Sequence, residues 1–232
     1  ATMAAGDSTG NSSVMGVAPD ADLVLSSIPN TLGTFSGDDF ARDLDSARGL
    51  GATASNNSWG MPDNTDGNPN ANWNVTEIKA YISDQGYTTN QGFAARTEGS
   101  ISTNALLYSQ QYITALNNFQ QTGVVVFSSG NYEGESDVSF MAGLPELYPE
   151  LAEAWIAVGL VDFTGTNMES AVESDFTLYG NKCGSAKEYC VVADGIELTG
   201  AGGTGTSTYL SGSGSSFSAP MVSGGIALLA QA

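Results

Sequence analysis

Short apolar runs between turn residues are the feature that most constrains how this chain can fold. Val124–Phe127 follows a glycine and stops at a Ser-Ser-Gly turn, and comparable runs occupy 23–28, 154–161 and 189–193. A strand buried on both faces of a parallel sheet reads as an uninterrupted apolar run. We therefore predict strands at these four places, and a fifth at 52–58 that ends at a Trp-Gly turn.

Helical patterns alternate with these strands. Residues 37–49 carry apolar side chains at three- and four-residue spacing after Ser36, which is suited to capping a helix. A second apolar stripe covers 106–119, and 218–232 begins a third helix with a proline near its first turn. The alternation predicts an α/β fold with a doubly wound, mostly parallel central sheet and flanking helices. Residues 61–100 are polar and rich in Asn, Asp and Gly, which predicts a surface insertion.

The charge balance excludes two classes of partner. The chain has 25 acidic and 6 basic residues, for a formal net charge of −19. Nucleic acids and anionic membranes bind proteins through lysine and arginine, so we expect neither contact. No apolar run approaches the roughly 20 residues of a membrane-spanning helix. The acidity indicates a solvated surface, with cation binding as the alternative.

The two cysteines lie close together in a turn-rich segment. Cys183 and Cys190 are seven positions apart in NKCGSAKEYC, and the chain has no other cysteine. We predict a local disulfide formed in an oxidising compartment, and thus a secreted or cell-surface protein. Half of a zinc site is the alternative, but the chain offers no histidine to complete it.

One serine is placed for nucleophilic chemistry. In GSGSSFSAPMVSGG, residues 212–225, Ser216 stands between a Gly-rich approach and the start of a helix. Free backbone N–H groups and the helix dipole favour negative charge there, as acyl transfer requires. The alternative is a Ser- and Gly-rich loop before a capped helix.

Two strand ends carry further candidate residues. VVVFSSGNYEG places Asn131 at the carboxyl end of a strand, where open α/β sheets bind ligands, and its amide is suited to stabilising an oxyanion. The alternative is an asparagine that only tolerates a tight turn. The backbone of NNSWG, residues 56–60, is suited to pairing with an extended peptide.

The order GVAPDADL, NNSWG, VVVFSSGNYEG, GSSFSAPMVSG resembles the subtilisin-like serine peptidases, and NKCGSAKEYCVVADG is most similar to the subtilase domains of Gram-negative autotransporters. Ser215 replaces the threonine usual before the nucleophile, and Asp194 replaces a proline. The resemblance implies a serine endopeptidase with Ser216 as nucleophile and Asn131 in the oxyanion hole. It implies a substrate strand along Ser58, Trp59 and Gly60, a pocket wall of Phe127, Ser128, Ser129 and Gly130 with Met141 nearby, and an apolar or aromatic residue on the acyl side of the cut. No cofactor is required.

The chain departs from this family in having no histidine. The family uses Asp, His and Ser in that order, and residues 1–5 match the tail of the helix that carries the histidine. We therefore interpret 1–232 as a partial peptidase domain that lacks the Asp and His motifs and ends within its last helix. Its partners are then the missing N-terminal portion and a protein or peptide substrate. The alternative is a catalytically inactive, subtilase-like binding or assembly module.

The segment DGNPNANWNVTE, residues 66–77, has calcium-loop spacing. Asp66, Asn68, Asn70 and Glu77 stand at ligand positions of a twelve-residue loop, so a structural Ca²⁺ is one interpretation. Ala71 stands where that loop needs glycine, which favours the alternative of an Asn-rich surface loop.

Overall fold

The computed structural model describes residues 2–6, 14–26, 36–61, 72–97, 109–202 and 208–232. Six α-helices and seven strands occupy these ranges: α1 Thr2–Ala5, α2 Gly37–Gly49, β1 Ala54–Asn57, α3 Val75–Gln85, α4 Thr89–Thr97, α5 Gln110–Phe119, β2 Val124–Ser128, β3 Trp155–Phe163, β4 Phe176–Tyr179, β5 Cys190–Asp194, β6 Leu198–Ala201, β7 Tyr209–Gly212 and α6 Ser215–Leu229.

The central sheet is mostly parallel. β1 pairs with β2, β2 with β3, and β3 with β5, all in parallel. β4 is the exception, because it runs antiparallel to the second half of β3. β6 and β7 form a separate antiparallel hairpin.

Helices cover both faces of this sheet, as the alternation along β2 requires. Val125 and Phe127 point to the face covered by α2 and α5, whereas Val126 points to the face covered by α6. Phe127 is fully buried and stacks on Trp155 with ring centroids 5.2 Å apart. Removing a buried ring of this kind costs about 3–5 kcal/mol. The predicted doubly wound α/β fold is confirmed.

The predicted helix boundary at Ser36 is also confirmed. The Ser36 backbone N–H and hydroxyl both donate to the Asp39 carboxylate, at 2.7 and 3.0 Å. This side-chain contact satisfies polar groups at the start of α2 that have no partner within the helix. These bonds therefore fix the residue at which α2 begins.

The predicted strand at 23–28 does not form over its described part. Residues 23–26 lie outside any strand, and Leu23, Val24 and Leu25 are exposed. Residues 27–28 lie outside the described ranges. An apolar run forms a strand only where a neighbouring edge pairs with it, and β1 pairs only with β2 within the described chain.

The segment predicted as a surface insertion, 61–100, contains two helices that pack on the core. α3 and α4 lie in this segment, and Val75, Ile78 and Phe93 are fully buried in the main core. The many polar residues belong to the exposed faces of the two helices, and they obscured the few apolar positions that face inward.

Candidate active site

The candidate site lies where β1 and β2 end and α6 begins. A cleft of about 50 Å³ opens there. It is lined by residues at or just after the ends of the two strands, by two loop residues and by the first turn of α6: Trp59, Gly60, Asn72, Ser128, Gly130, Asn131, Ser139, Ser215 and Ser216. The topology therefore brings Ser216 and Asn131 together although they are far apart in the sequence.

The Ser216 hydroxyl faces the strand edge after β1. Its Oγ donates to the Ser58 carbonyl oxygen at 3.3 Å, and the Ser58 hydroxyl donates back to the Ser216 carbonyl oxygen at 3.1 Å. Pro220 explains the second bond, because proline has no N–H to donate to the carbonyl four residues earlier. The Ser58 hydroxyl takes the place of that missing donor and so links α6 to the residues that follow β1.

Asn131 is exposed, and its amide is oriented by Ser215. The Asn131 Oδ1 accepts from the Ser215 backbone N–H at 2.8 Å and from the Ser215 hydroxyl at 2.9 Å. These two donors identify Oδ1 as the atom facing α6, so the Nδ2 donors point elsewhere. Asn131 thus lines the cleft beside Ser216, with its Oδ1 held by Ser215.

Two glycines permit this close approach. Gly130 has φ +118°, and a Cβ there would lie 2.3 Å from the Asn181 side-chain oxygen. Gly214 has φ +149°, and a Cβ there would lie 3.2 Å from the Asn131 side-chain oxygen. Any larger residue at Gly130 would push apart the turn that presents Asn131.

Only part of the wall expected beside the nucleophile lines the cleft. The side chains of Phe127 and Met141 are fully buried in the core and do not line the cleft. Ser128, Asn72 and Ser139 line it instead. Successive side chains of β2 point to opposite faces of the sheet, so Phe127 points into the core while Ser128 lines the cleft. Of the expected wall, Ser128 and Gly130 line this cleft, whereas Phe127 and Met141 do not.

Ser129 was expected to contact substrate, but its side chain is turned inward. It is fully buried, and its hydroxyl donates to the Asn181 carbonyl oxygen at 3.3 Å. Its backbone N–H donates to the Val158 carbonyl oxygen at 2.9 Å, which continues the pairing of β2 with β3. Ser129 therefore supports the turn rather than lining the cleft.

The predicted calcium ligands divide into two groups. Asp66, Asn68 and Asn70 lie outside the described residues. Glu77 is described, and its carboxylate accepts from the Asn74 backbone N–H at 3.0 Å, while the Asn74 side chain accepts from the Glu77 N–H at 2.8 Å. This reciprocal pair is a capping box at the start of α3, and it accounts for the Asn-x-x-Glu spacing. Within the described ranges, no three acidic, cysteine or histidine residues group in a way that suits a metal ion.

The predicted disulfide is present between Cys183 and Cys190. It closes the 3-10 helix Gly184–Tyr189 and joins it to the start of β5. Ser185, inside this closed segment, donates from its backbone N–H and its hydroxyl to Asp137, at 2.7 and 3.0 Å.

Asp137 is one of the polar residues that the sequence analysis does not predict. It is buried, and Thr76, Val138 and Ser185 donate to its carboxylate. Burial raises the pKa of this carboxyl, but the hydrogen bonds from Thr76 and Ser185 outweigh that effect and hold the pKa below its usual range. One aspartate among the 25 acidic residues gives no local signal of such a role.

These features define an α/β domain in which a serine in the first turn of a helix and an asparagine line one cleft at the carboxyl ends of parallel strands. The chain belongs to the Subtilase family (Peptidase_S8), whose sequence model matches residues 1–232. No curated protein matches the chain at a significant level.

Solved protease structures share the fold. The prenylagaramide maturation protease PagA has a TM-score of 0.56 at 20% identity, covering 94% of this chain and 59% of that one. The S218A mutant of the protease domain of PatA has a TM-score of 0.57 at 20% identity, and the match covers 93% of this chain and 57% of that one. MycP1 with its N-terminal propeptide removed has a TM-score of 0.54 at 18% identity, and the match covers 99% of this chain and 64% of that one. The chain thus spans less than two thirds of the length of each of these proteins. In the described parts of this chain, no helix is both long and apolar enough to cross a membrane.

Proposed function

We propose that this chain is the nucleophile-bearing part of a serine endopeptidase that hydrolyses protein or peptide substrates. The observation that carries the proposal is the shared cleft of Ser216 and Asn131, in which Ser215 fixes the orientation of the Asn131 amide. Membership of the Subtilase family supports the same reaction class.

In this mechanism, the Ser216 Oγ attacks the carbonyl carbon of the scissile amide and loses its proton to a general base. The carbonyl oxygen becomes an oxyanion, which accepts hydrogen bonds from Asn131 Nδ2 and the Ser216 backbone N–H. The protonated base then gives its proton to the leaving amine, and water hydrolyses the acyl-enzyme.

We propose that a histidine outside residues 1–232 is the general base, because the chain itself contains no histidine. We propose that an N-terminal portion of the same domain supplies the His and Asp of the triad. Two features support an additional strand there. Within the described chain, β1 pairs only with β2, so its other edge has no partner strand. Leu23, Val24 and Leu25, which follow α1 in the sequence, are exposed apolar residues.

We further propose that the substrate runs as an extended strand along Ser58, Trp59 and Gly60. The Ser58 carbonyl oxygen, which accepts the Ser216 hydroxyl at 3.3 Å, is a suitable acceptor for a substrate N–H once that hydroxyl moves to its base. The cleft of about 50 Å³ has room for about three to five water molecules, since one water needs roughly 10–15 Å³. Its polar walls favour a small, polar side chain on the acyl side of the cut.

The disulfide supports a secreted or bacterial surface location, because such bonds persist in oxidising compartments. The likeness of the cysteine-bearing segment to autotransporter subtilase domains supports the same location. A structural Ca²⁺ in the 66–77 segment remains part of the proposal.

One observation favours a second candidate, a catalytically inactive binding module. It is the absence of histidine from a chain that carries Ser216 and Asn131. A fluorophosphonate probe on the full-length protein separates the two, with Ser216→Ala as the control. We expect covalent labelling of the unchanged protein at Ser216 and none of the variant. Absence of labelling in the full-length, folded protein would refute the peptidase and leave the binding module.

A further inference from the structure

Asn181 is a buried residue that packs against the turn on which Asn131 lies. It is buried, and it follows directly on β4 and Gly180. Its side-chain Oδ1 accepts from the Tyr132 backbone N–H at 3.0 Å, and its own N–H donates to the Gly130 carbonyl oxygen at 3.3 Å. The residues before and after Asn131 are therefore both bonded to Asn181.

The remaining polar groups of Asn181 are also satisfied. Its carbonyl oxygen accepts from the Ser129 hydroxyl at 3.3 Å, and its Nδ2 donates to the Asp137 carbonyl oxygen at 3.0 Å. Because an amide offers its oxygen on one side and its N–H₂ on the other, these bonds define a single orientation of the side chain. A residue that forms four bonds to the segment 129–137 holds that segment against β4.

Asp137 accepts a hydrogen bond from Asn181 and is itself held in place by its carboxylate. Its carboxylate takes donors from two distant elements: Thr76 in the first turn of α3, with an N–H at 3.0 Å and a hydroxyl at 2.6 Å, and Ser185 in the disulfide-closed segment. A buried carboxylate with this many donors is fixed in position. The Asp137 carbonyl that receives Asn181 is fixed with it.

We propose that Asn181, supported by Asp137, is a positioning residue that sets the placement of the Asn131 amide in the oxyanion site. This inference rests on the proposed peptidase function. Asn181 does not line the cleft, so it acts only through the turn at 130–132. An oxyanion donor is effective only when it is preorganised, and a displacement of about 1 Å can cost roughly 100-fold in rate.

The test is a double-mutant cycle on the full-length protein, with kcat and KM measured on a peptide substrate. Asn181→Ala should lower kcat about 10- to 100-fold and leave KM within about twofold. In an Asn131→Ala background the same change should lower kcat by less than about twofold, because the group that Asn181 places is already gone. Asn118→Ala, on α5 and distant from the cleft, is the matched control and should leave both constants unchanged.

The outcomes separate the possible failures. An equal loss of kcat in both backgrounds would mean a general structural effect and would overturn the positioning role, as would an unchanged kcat in Asn181→Ala. If Asn181→Ala does not fold, Asp137→Asn is used in the same cycle, because it keeps the backbone carbonyl but removes carboxylate acceptors. Absence of turnover in the unchanged full-length protein would instead refute the proposed function itself.

Discussion

Replacing Ser215 by alanine tests whether the hydrogen bonds beneath the cleft hold it together. The Ser215 hydroxyl is fully buried, donates to Asn131 Oδ1 at 2.9 Å or the Gly130 carbonyl at 3.2 Å, and accepts from the Gly130 N–H at 3.2 Å. After the change, Asn131 Oδ1 keeps the Ser215 backbone N–H, and the Gly130 carbonyl keeps the Asn181 N–H. The buried Gly130 N–H is the group that loses its acceptor.

The magnitude follows from that count. An unsatisfied buried N–H costs about 1–3 kcal/mol, and the lost hydroxyl bond contributes about 1 kcal/mol. We expect Ser215→Ala to lower the free energy of unfolding by about 2–4 kcal/mol. Urea denaturation of the full-length protein measures it as a lower midpoint at an unchanged slope.

Ser218→Ala is the matched control. Ser218 lies on the same helix and is also fully buried, but its hydroxyl has no hydrogen-bond partner among the described residues. Removing an unpaired buried hydroxyl should be neutral or slightly stabilising. If Ser215→Ala costs no more than Ser218→Ala, the hydrogen bonds of Ser215 do not support the turn, and the reasoning fails.

Four further predictions concern activity and stability. Asn131→Ala should lower kcat about 100- to 1000-fold with KM nearly unchanged, a figure measured on subtilisin and so not independent of the family assignment; weakened substrate binding at constant kcat would contradict the oxyanion role. Folding lowers the Asp137 pKa, so the stability that this carboxylate provides is complete above its unfolded pKa of about 4 and is lost as the pH falls through the folded value. The difference in unfolding free energy between the unchanged protein and Asp137→Asn should shrink from pH 6 to pH 3, and a constant difference would count against it. Replacing Cys183 and Cys190 by serine should cost about 2.5 kcal/mol for a loop of roughly eight residues, and unfolding under reducing conditions should abolish the difference. Peptides with Ser, Thr or Asn before the cut should be cleaved with a kcat/KM about tenfold higher than those with Phe, and the reverse order would refute the small polar pocket.

The parts of the fold that the sequence predicts are those with local patterns. β2, β3 and α2 follow from apolar runs and from capping residues within a few positions of each element. The meeting of Ser216 and Asn131 was also predictable, because the carboxyl ends of parallel strands lie at one edge of a sheet. Both residues stand at such an edge or at the helix beside it.

The parts that escaped prediction depend on distant contacts. Asn181 reaches Asp137 and Tyr132 across 44 and 49 positions, and nothing local distinguishes these residues from other polar ones. The inward direction of Phe127 depends on the register of β2, which an uninterrupted apolar run does not specify. Residues 23–26 have strand character, but strand formation also needs a neighbouring edge.

The length of β3 has a consequence for how the family can vary. Its nine residues pair with β2 along the first half of one edge, with β4 further along, and with β5 on the other side. A single residue inserted within β3 would turn every later side chain of the strand to the opposite face of the sheet. It would also displace β4, which leads to Asn181, and β5, which begins with Cys190. Natural changes of length should therefore accumulate in the connection at 164–175, where the chain is largely exposed, and be rare between Trp155 and Phe163.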